Sequence, residues 1–275
     1  MFTQFKPLGF IGCGSFAELI IAKLLQTRTV EANEIIIGVR RKERAEELTS
    51  RHGIIAFAND NTTVSIKSNS IILAVRPGQV LSAVESLAAK DCSGKLLISI
   101  VAAVRTRHLM DLFDTRKVCR VNPNPQIATG KGLTAVSNSH EVTLKEVEWV
   151  SHLFSCMSEV VHLDEEQLDC ISVLSGVTHT LYFVECLMDA ALYLGLPSEI
   201  AMKLVIQSME GATELFRKSP EKLGELIRNA ATPGGIGVEK LFTLDRLGVK
   251  GAIIEAMKSG LKKAQQFGHL KGEVA

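Results

Sequence analysis

No single sign of charge dominates this chain: 31 Lys and Arg stand against 30 Asp and Glu, a formal net charge of +1. A whole-chain field that would recruit nucleic acid or an anionic membrane is thereby excluded, and any basic site has to be local. Paired cysteines are missing too. The six cysteines, Cys13, Cys92, Cys119, Cys156, Cys170 and Cys186, are scattered singly, with no Cys-x-x-Cys and no His at zinc-ligand spacing. They read as reduced, mostly buried small side chains, and no metal is expected. The seven histidines show no His-Glu-x-x-His spacing. No uninterrupted apolar run reaches the roughly 18 residues of a membrane span, and Met1 to Pro7 is not a charged segment leading into a long apolar one. The expectation is a cytoplasmic chain with neither membrane nor nucleic acid among its partners. Internal repeats and low-complexity segments are absent as well.

What is present is enough apolar material for a sizeable core, 46% of 275 residues, which at roughly 150 residues per domain points to two domains. Leu8-Gly9-Phe10-Ile11 is a short apolar run that stops at Gly12-Cys13-Gly14 and gives way to helical periodicity from Ser15 to Leu25. That is the pattern of strand, tight turn and helix. Ile35 to Val39 is a second such run, ended by Arg40-Arg41 and followed by a charged amphipathic helix from Lys42 to Arg51. Ser70 to Val75, Leu96 to Ile100, Val118 to Val121 and Leu133 to Val136 are further buried-strand candidates, separated by helix-length segments. Such alternation predicts an α/β region with a mostly parallel sheet covered on both faces. After about Leu163 the strand-like runs stop. Helices are predicted over Glu166 to Leu194, Ser198 to Arg217, Glu221 to Asn229 and Val238 to Phe267, punctuated by Gly195-Leu196-Pro197 and Thr232-Pro233-Gly234-Gly235, with a frayed tail after Phe267. The expected domains are 1–163 and 164–275. The first of these helices is apolar on more than one side, more than a small domain covers by itself, so a partner subunit is expected.

Gly12-Cys13-Gly14-Ser15-Phe16-Ala17 fits the Gly-x-Gly-x-x-Ala fingerprint of a doubly wound, Rossmann-like sheet. The first glycine makes the tight turn, the second lets backbone approach a pyrophosphate, and the small third residue permits close helix packing at a helix N-terminus that favours anions. A plain glycine turn is the alternative, but its place after the first strand and before a helix favours a dinucleotide. An acid at the end of the second strand would select NAD through the ribose 2′-hydroxyl, whereas arginine accommodates a 2′-phosphate. Here Arg40 and Arg41 stand there, with Arg44 a turn later and no acid before Glu43, which favours NADP(H). Ala74-Val75-Arg76-Pro77-Gly78-Gln79 and Ser99-Ile100-Val101-Ala102-Ala103 follow two further strands, where loops border the ligand crevice. Arg120-Val121-Asn122-Pro123-Asn124-Pro125 is a proline-stiffened loop presenting two amides, suited to a nicotinamide carboxamide, a polar substrate or an ordinary turn. Asn59 completes the candidate cofactor contacts.

In this order these motifs resemble the pyrroline-5-carboxylate reductase family over nearly the whole chain. The resemblance is carried by Phe10 to Glu18, Ala74 to Pro77, Arg120 to Asn124 with Gly130-Lys131-Gly132, Leu168-Asp169 with Leu174-Ser175-Gly176, Leu194 to Pro197 and Pro233-Gly234-Gly235. It implies a C-terminal all-helical dimerisation domain, a homodimer that can build a larger ring, and hydride transfer from NADPH to the C=N carbon of a cyclic imine carboxylate, giving proline. The substrate would be held at a dimer interface by Ser175, Gly176 and the Pro233-Gly234-Gly235 turn. The chain departs from the family pattern at Ser175 to Leu181, shortened by about two residues, and at Ile236-Gly237, where the family has a threonine pair. Asn122 also replaces a methionine, and Pro125-Gln126 replace Thr-Pro. Thr232, Thr178 and His179 are the residues that could replace the lost hydroxyl as carboxylate anchor or proton donor. Two alternatives stay open: a related imine or keto reductase with another substrate, and a non-catalytic NADP-binding regulatory homologue.

Overall fold

The computed structural model describes residues 2–87 and 92–268, and the expected frayed tail lies outside them from residue 269 onward. Eight strands form one sheet: β1 (Leu8–Ile11), β2 (Ile35–Val39), β3 (Ile55–Ala58), β4 (Ser70–Leu73), β5 (Leu96–Ser99), β6 (Val118–Pro123), β7 (Gly132–Asn138) and β8 (Ser158–His162). Their order is β3-β2-β1-β4-β5-β6-β7-β8. All neighbours run parallel except β6 and β7, which pair antiparallel through Arg120↔Ser137 and Asn122↔Ala135. The mostly parallel sheet is as expected. Two strands, β3 and β8, are additional to those expected: β3 forms from the apolar run Ile54 to Ala58, which sequence reasoning missed, and β8 mixes Val160 and Val161 with polar residues; both lie at the sheet's edges and are mostly exposed or half-buried.

The inner strands β1, β2, β4 and β5 are buried along their whole length, and alternation along them supplies two cores. Phe10, Ile72, Leu96 and Ile98 face one layer with Ile20, Leu24, Leu48, Trp149 and Phe154. Ile11, Ile71, Leu73 and Leu97 face the other with Val80, Leu109 and Phe113. The first layer is built from α1 (Ser15–Gln26), α2 (Lys42–His52) and α6 (Leu144–Ser155), and the second from α4 (Val80–Glu85) and α5 (Thr106–Phe113). Local signals set the helix ends. Gly53, at φ 68, closes α2 with its N–H on the Thr49 carbonyl. Asp60 caps α3 (Asn61–Lys67) by accepting from the Thr63 N–H at 2.8 Å, and Thr143 with Glu146 makes a capping box for α6.

The chain divides into two compact units, residues 1–175 with 260–275, and 176–259. The expected division at residue 163 differs because α7 (Glu165–Leu174) belongs with the sheet. Arg120 of β6 is buried and donates from Nη1 to Glu165 Oε1 at 2.8 Å, with Asp169 Oδ1 3.6 Å from Nη2. The Thr106 N–H and hydroxyl donate to the same Glu165 oxygen at 2.6 and 2.7 Å. Burial opposes ionisation of Glu165, but these bonds and the Arg120 charge hold its carboxyl below the ordinary range.

The second unit is helical: α8 (Val177–Tyr193), α9 (Ser198–Lys218), α10 (Leu223–Ala230), α11 (Ile236–Arg246) and the first part of α12 (Val249–Gly268). The helix expected over Glu166 to Leu194 is thus two, broken at Ser175-Gly176 by extended backbone at Gly176. The one expected over Val238 to Phe267 is also two, broken at Gly248, whose φ of 69 belongs to the left-handed region. The segment Glu165–Tyr193 is long and apolar enough, at mean hydropathy 1.4, to cross a membrane by composition. Its first helix, however, is tied by two carboxylates to buried Arg120, an arrangement at odds with hydrocarbon around it.

Candidate active site

The order of strands reverses at β1, whose neighbours are β2 and β4, and a cleft of about 860 Å³ opens at the carboxyl ends there. This is the position where a doubly wound sheet takes its ligand. Gly12 has φ 87, and a Cβ on it would lie 2.6 Å from Val75 Cγ1 and 2.9 Å from the Ala74 carbonyl oxygen, so only glycine fits. Gly14 is the reverse case. Nothing stands within 4 Å of where its Cβ would be, and no side chain caps α1 behind it. Open space in front of uncapped helical N–H groups is what a pyrophosphate requires.

Gly12, Gly14, Ser15, Arg40, Arg41, Asn59, Ala74, Val75 and Arg76 all line this cleft, as expected from sequence. Arg40 and Arg41 are exposed and make no ion pair or side-chain hydrogen bond among the described residues. Arg44 lines the cleft as well but is engaged: Nη2 donates to Glu18 Oε2 at 2.5 Å and Nη1 to Glu47 Oε2 at 2.8 Å. Burial would raise the Glu18 carboxyl, yet hydrogen bonds from His52, Arg44 and Arg51 bring it down to about 2. Asn59 sits at φ 54 with its N–H on the Val39 carbonyl at 2.8 Å, which turns the chain at the end of β3. Cys13 also lines the cleft, and burial, partly offset by Arg44, pushes its thiol up to about 12, so it is a neutral lining group.

The other expected contacts stand outside this cleft's lining. Phe16 packs against the core and Ala17 is buried in it, so they position α1. Pro77 starts a turn after β4 in which the Arg76 N–H meets Gln79 Oε1 at 3.3 Å. Ala102 is exposed in a turn beside Ala103, which has φ 65. Pro123 ends β6, and Asn124 Oδ1 accepts from the Leu133 N–H at 3.2 Å, joining the loop to β7. Asn122 points to α7, donating to Ser172 Oγ at 2.8 Å and the Leu168 carbonyl at 3.2 Å. Gln126 donates from Nε2 to the Ser175 carbonyl at 3.1 Å, fixing the end of α7.

In the helical unit, Gly176 caps α8, and Thr178 and His179 lie in its first turn, Thr178 exposed and His179 half-buried. Thr232 is exposed, and its carbonyl accepts from the Gly235 N–H at 2.9 Å, closing a turn over Pro233 and Gly234, with Gly234 at φ 72. Gly235 caps α11, which starts at Ile236 and not near Val238. The side chains of Thr178, His179 and Thr232 make no hydrogen bond among the described residues. Gln79, in the loop expected to border the crevice, does line it, whereas sequence reasoning missed Asn61 at the start of α3, Ser82 within α4 and Ser86 at the end of α4. Asn61 is signalled only by position, just after β3, and nothing local marks Ser82 or Ser86, which α4 brings to the cleft. It also missed the Glu18 and Arg120 networks, whose partners are distant in sequence.

Residues 165–267 match the family described as pyrroline-5-carboxylate reductase dimerisation, and residues 7–103 the family described as NADP oxidoreductase coenzyme F420-dependent. A pyrroline-5-carboxylate reductase of Synechocystis sp. is 30% identical over 263 residues, 95% of this chain and 98% of that protein. The chain belongs to the pyrroline-5-carboxylate reductase family. Its Escherichia coli relative of the same name is 29% identical over 95% of the chain and 98% of the relative. Among solved structures, the Plasmodium falciparum pyrroline carboxylate reductase with NADP bound overlays with a TM-score of 0.84, 23% identity, and coverage of 95% and 97%. The Streptococcus pyogenes 1-pyrroline-5-carboxylate reductase gives 0.85, 22%, 96% and 99%. Both share the family fold of a sheet unit followed by helices.

Proposed function

We propose that the chain reduces 1-pyrroline-5-carboxylate to proline, the last step of proline biosynthesis, with NADPH as reductant. The observation that carries this reading is one cleft holding an open Gly14 before uncapped α1 and two unpartnered arginines at the end of β2, in a chain end-to-end related to reductases of that name. Gly12, Gly14 and Ser15 would hold the pyrophosphate, Arg40 and Arg41 the 2′-phosphate, and Asn59, Ala74, Val75 and Arg76 the adenosine side. Phe16 and Ala17 would act by positioning α1 behind the pyrophosphate, and Pro77, Ala102 and the Asn122-Pro123-Asn124 loop would act from outside the cleft lining, toward the nicotinamide end. When bound, NADPH supplies the hydride to the imine carbon. The protein's part is orientation and a proton for the ring nitrogen, since a protonated imine is the better electrophile.

Substrate contacts are assigned to Ser175, Gly176 and the Pro233-Gly234-Gly235 turn, whose N–H groups and α11 N-terminus suit a carboxylate. Thr232, Thr178 and His179, whose side chains have no hydrogen-bond partner among the described residues, are the candidates for anchor or proton donor. The working form is a cytoplasmic homodimer, with a ring of dimers as its larger form and no membrane or nucleic-acid partner.

A second reading, another cyclic imine or a keto substrate, is favoured by Gly237 alone, which lacks the family's hydroxyl. A Cβ there would meet nothing nearer than Ala231 Cα at 3.4 Å, an ordinary contact, so the backbone leaves room for a side chain to begin there. The assay is NADPH consumption with 1-pyrroline-5-carboxylate for wild type, Gly237→Thr and Thr232→Ala. Turnover should rise with Gly237→Thr and fall with Thr232→Ala, on the order of a hundredfold for one polar donor. Tight NADPH binding with no turnover in wild type or Gly237→Thr would move the assignment to another substrate or to a non-catalytic regulator.

A further inference from the structure

Strand β6 and the loop after it are tied to one side of α7 in three steps. Arg120 reaches Glu165 and Asp169, and Asn122 donates to the Leu168 carbonyl and to Ser172 Oγ. Gln126, in the short turn Pro125–Thr129, donates from Nε2 to the Ser175 carbonyl at 3.1 Å. Glu165, Asp169, Ser172 and Ser175 follow one another at intervals of four, three and three positions, the spacing of a single helix face. The first step is ionic. The other two use amides, at positions where the chain departs from the family pattern.

The last step acts on one peptide group. A trans peptide is planar, with its carbonyl and N–H pointing opposite ways, so the bond that holds the Ser175 carbonyl also sets the direction of the Gly176 N–H. Gly176 is half-buried and extended, at φ −67 and ψ 147, and its N–H has no hydrogen-bond partner among the described residues. An aimed donor left free in this way suits an oxygen of a bound anion. Stability does not account for the Gln126 amide, because its Oε1 is buried and accepts no hydrogen bond among the described residues, and a buried acceptor left unpaired is costly. We propose that Gln126 is a positioning residue for the substrate: it clamps the Ser175-Gly176 peptide so that the Gly176 N–H is presented to the carboxylate of the cyclic imine. This rests on the reductase reading above, which assigns Ser175 and Gly176 to the substrate, and adds the side chain that aims them.

Turnover of 1-pyrroline-5-carboxylate with NADPH, direct binding of NADPH and thermal melting are compared for wild type, Gln126→Met and Gln126→Glu. Methionine keeps the length of the side chain and removes both polar ends, whereas an ionised glutamate keeps the shape and offers acceptors only. With the peptide free to swing, kcat/KM for the imine should fall about tenfold in both variants, mainly through KM, because a misplaced contact costs up to roughly a hundredfold and lost ground-state binding shows in KM. NADPH affinity should not change, and Gln126→Met should melt no earlier than wild type, since the unpaired acceptor leaves with the amide. An equal loss of NADPH affinity would make Gln126 part of the cofactor site and overturn the proposal. An unchanged KM would overturn it too, and a lower melting temperature beside that unchanged KM would reduce Gln126 to a structural tie. If Gln126→Met loses its cooperative melting transition, Gln126→Glu decides alone, with a raised KM in support and an unchanged one against. Absence of turnover in wild type would instead overturn the reductase reading on which the proposal stands.

Discussion

The two units solve the same problem differently. In the sheet unit the large apolar side chains left exposed are isolated ones, Ile55, Ile66, Leu81, Leu144 and Leu174, over two well-filled cores. In the helical unit only Ala191, Ala201 and Val205 are buried among the described apolar residues, while Leu181, Tyr193, Leu204, Leu215, Phe242 and Ile254 stay at least 50% exposed. A sheet covered by helices on both faces buries its apolar residues within one chain. Helices apolar on several sides cannot, and the remaining surface is what a partner subunit would cover in the proposed homodimer. Charge follows the same division. The sheet unit holds its ions in buried or half-buried networks around Arg120 and Glu18, whereas the helical unit's pairs, such as Lys218–Glu214 and Lys250–Asp245, are exposed and contribute little.

The largest expected effect breaks the helical side of this contrast. Wild type should sediment as a dimer, with an interface above roughly 2,000 Å² as obligate homodimers have. Leu204→Glu with Ile254→Glu should drive it to monomer or aggregate and abolish turnover, because burying an unpaired carboxylate costs several kcal/mol. Leu144→Glu on the sheet unit, where the side chain is already 82% exposed, should change unfolding stability by less than about 0.5 kcal/mol. A monodisperse wild-type monomer at micromolar concentration would show the contrast to have another cause.

Next in size is the sheet unit's buried charge. Arg120→Ala leaves Glu165 and Asp169 without their shared cation and should cost about 3 to 5 kcal/mol in urea unfolding, the usual price of orphaning a buried charge. A loss under about 1 kcal/mol would mean that α7 is held to the sheet by packing alone. Smaller again, Arg40→Asp with Arg41→Ala should weaken NADPH by about 2 to 4 kcal/mol and NADH hardly at all. Equal losses for both cofactors would remove the 2′-phosphate assignment.

How far the sequence could be read follows the same line between units. Runs such as Ile35 to Val39 and the glycines at 12 and 14 announce strand and turn because their signals are local, and the cleft forms where they point. The α8 start, Ser175-Gly176, was read as helix interior because apolar periodicity continues through it, and the Gly248 break was hidden likewise. Edge strand β8 lacks the apolar run that marks an inner strand, and edge strand β3 has one, Ile54 to Ala58, that sequence reasoning missed. At the site, many of the residues that line the cleft were legible, but Asn122 and Asn124 were assigned by loop position while their amides bind α7 and β7. Nothing local in the sequence reveals that Glu18 joins Arg44, Arg51 and His52 across 26 to 34 positions.

That cluster supplies the smallest and most specific test, since it responds to pH in a way no exposed pair of the helical unit can. The Glu18 carboxyl lies at about 2 in the folded chain against an ordinary 4.5. Folding therefore binds the ionised form, and the stabilisation is complete above pH 4.5 and lost as pH falls through about 2. The full shift corresponds to about 3 kcal/mol, and exposure of Arg51, at 54%, reduces the expected figure to about 2 kcal/mol. Glu34, Glu146 and Glu165 are also held below the carboxylate range, so acid weakens the whole unit, and a single curve would not isolate Glu18. The difference between wild type and Glu18→Gln does, because Glu34, Glu146 and Glu165, which share no partner with Glu18, contribute equally to both. Urea unfolding of the pair should show a gap of about 2 kcal/mol at pH 7 that narrows steadily between pH 4.5 and 2. A gap that stays constant over that window would mean that Glu18 stabilises the α1–α2 corner by shape and hydrogen bonding, with its charge irrelevant.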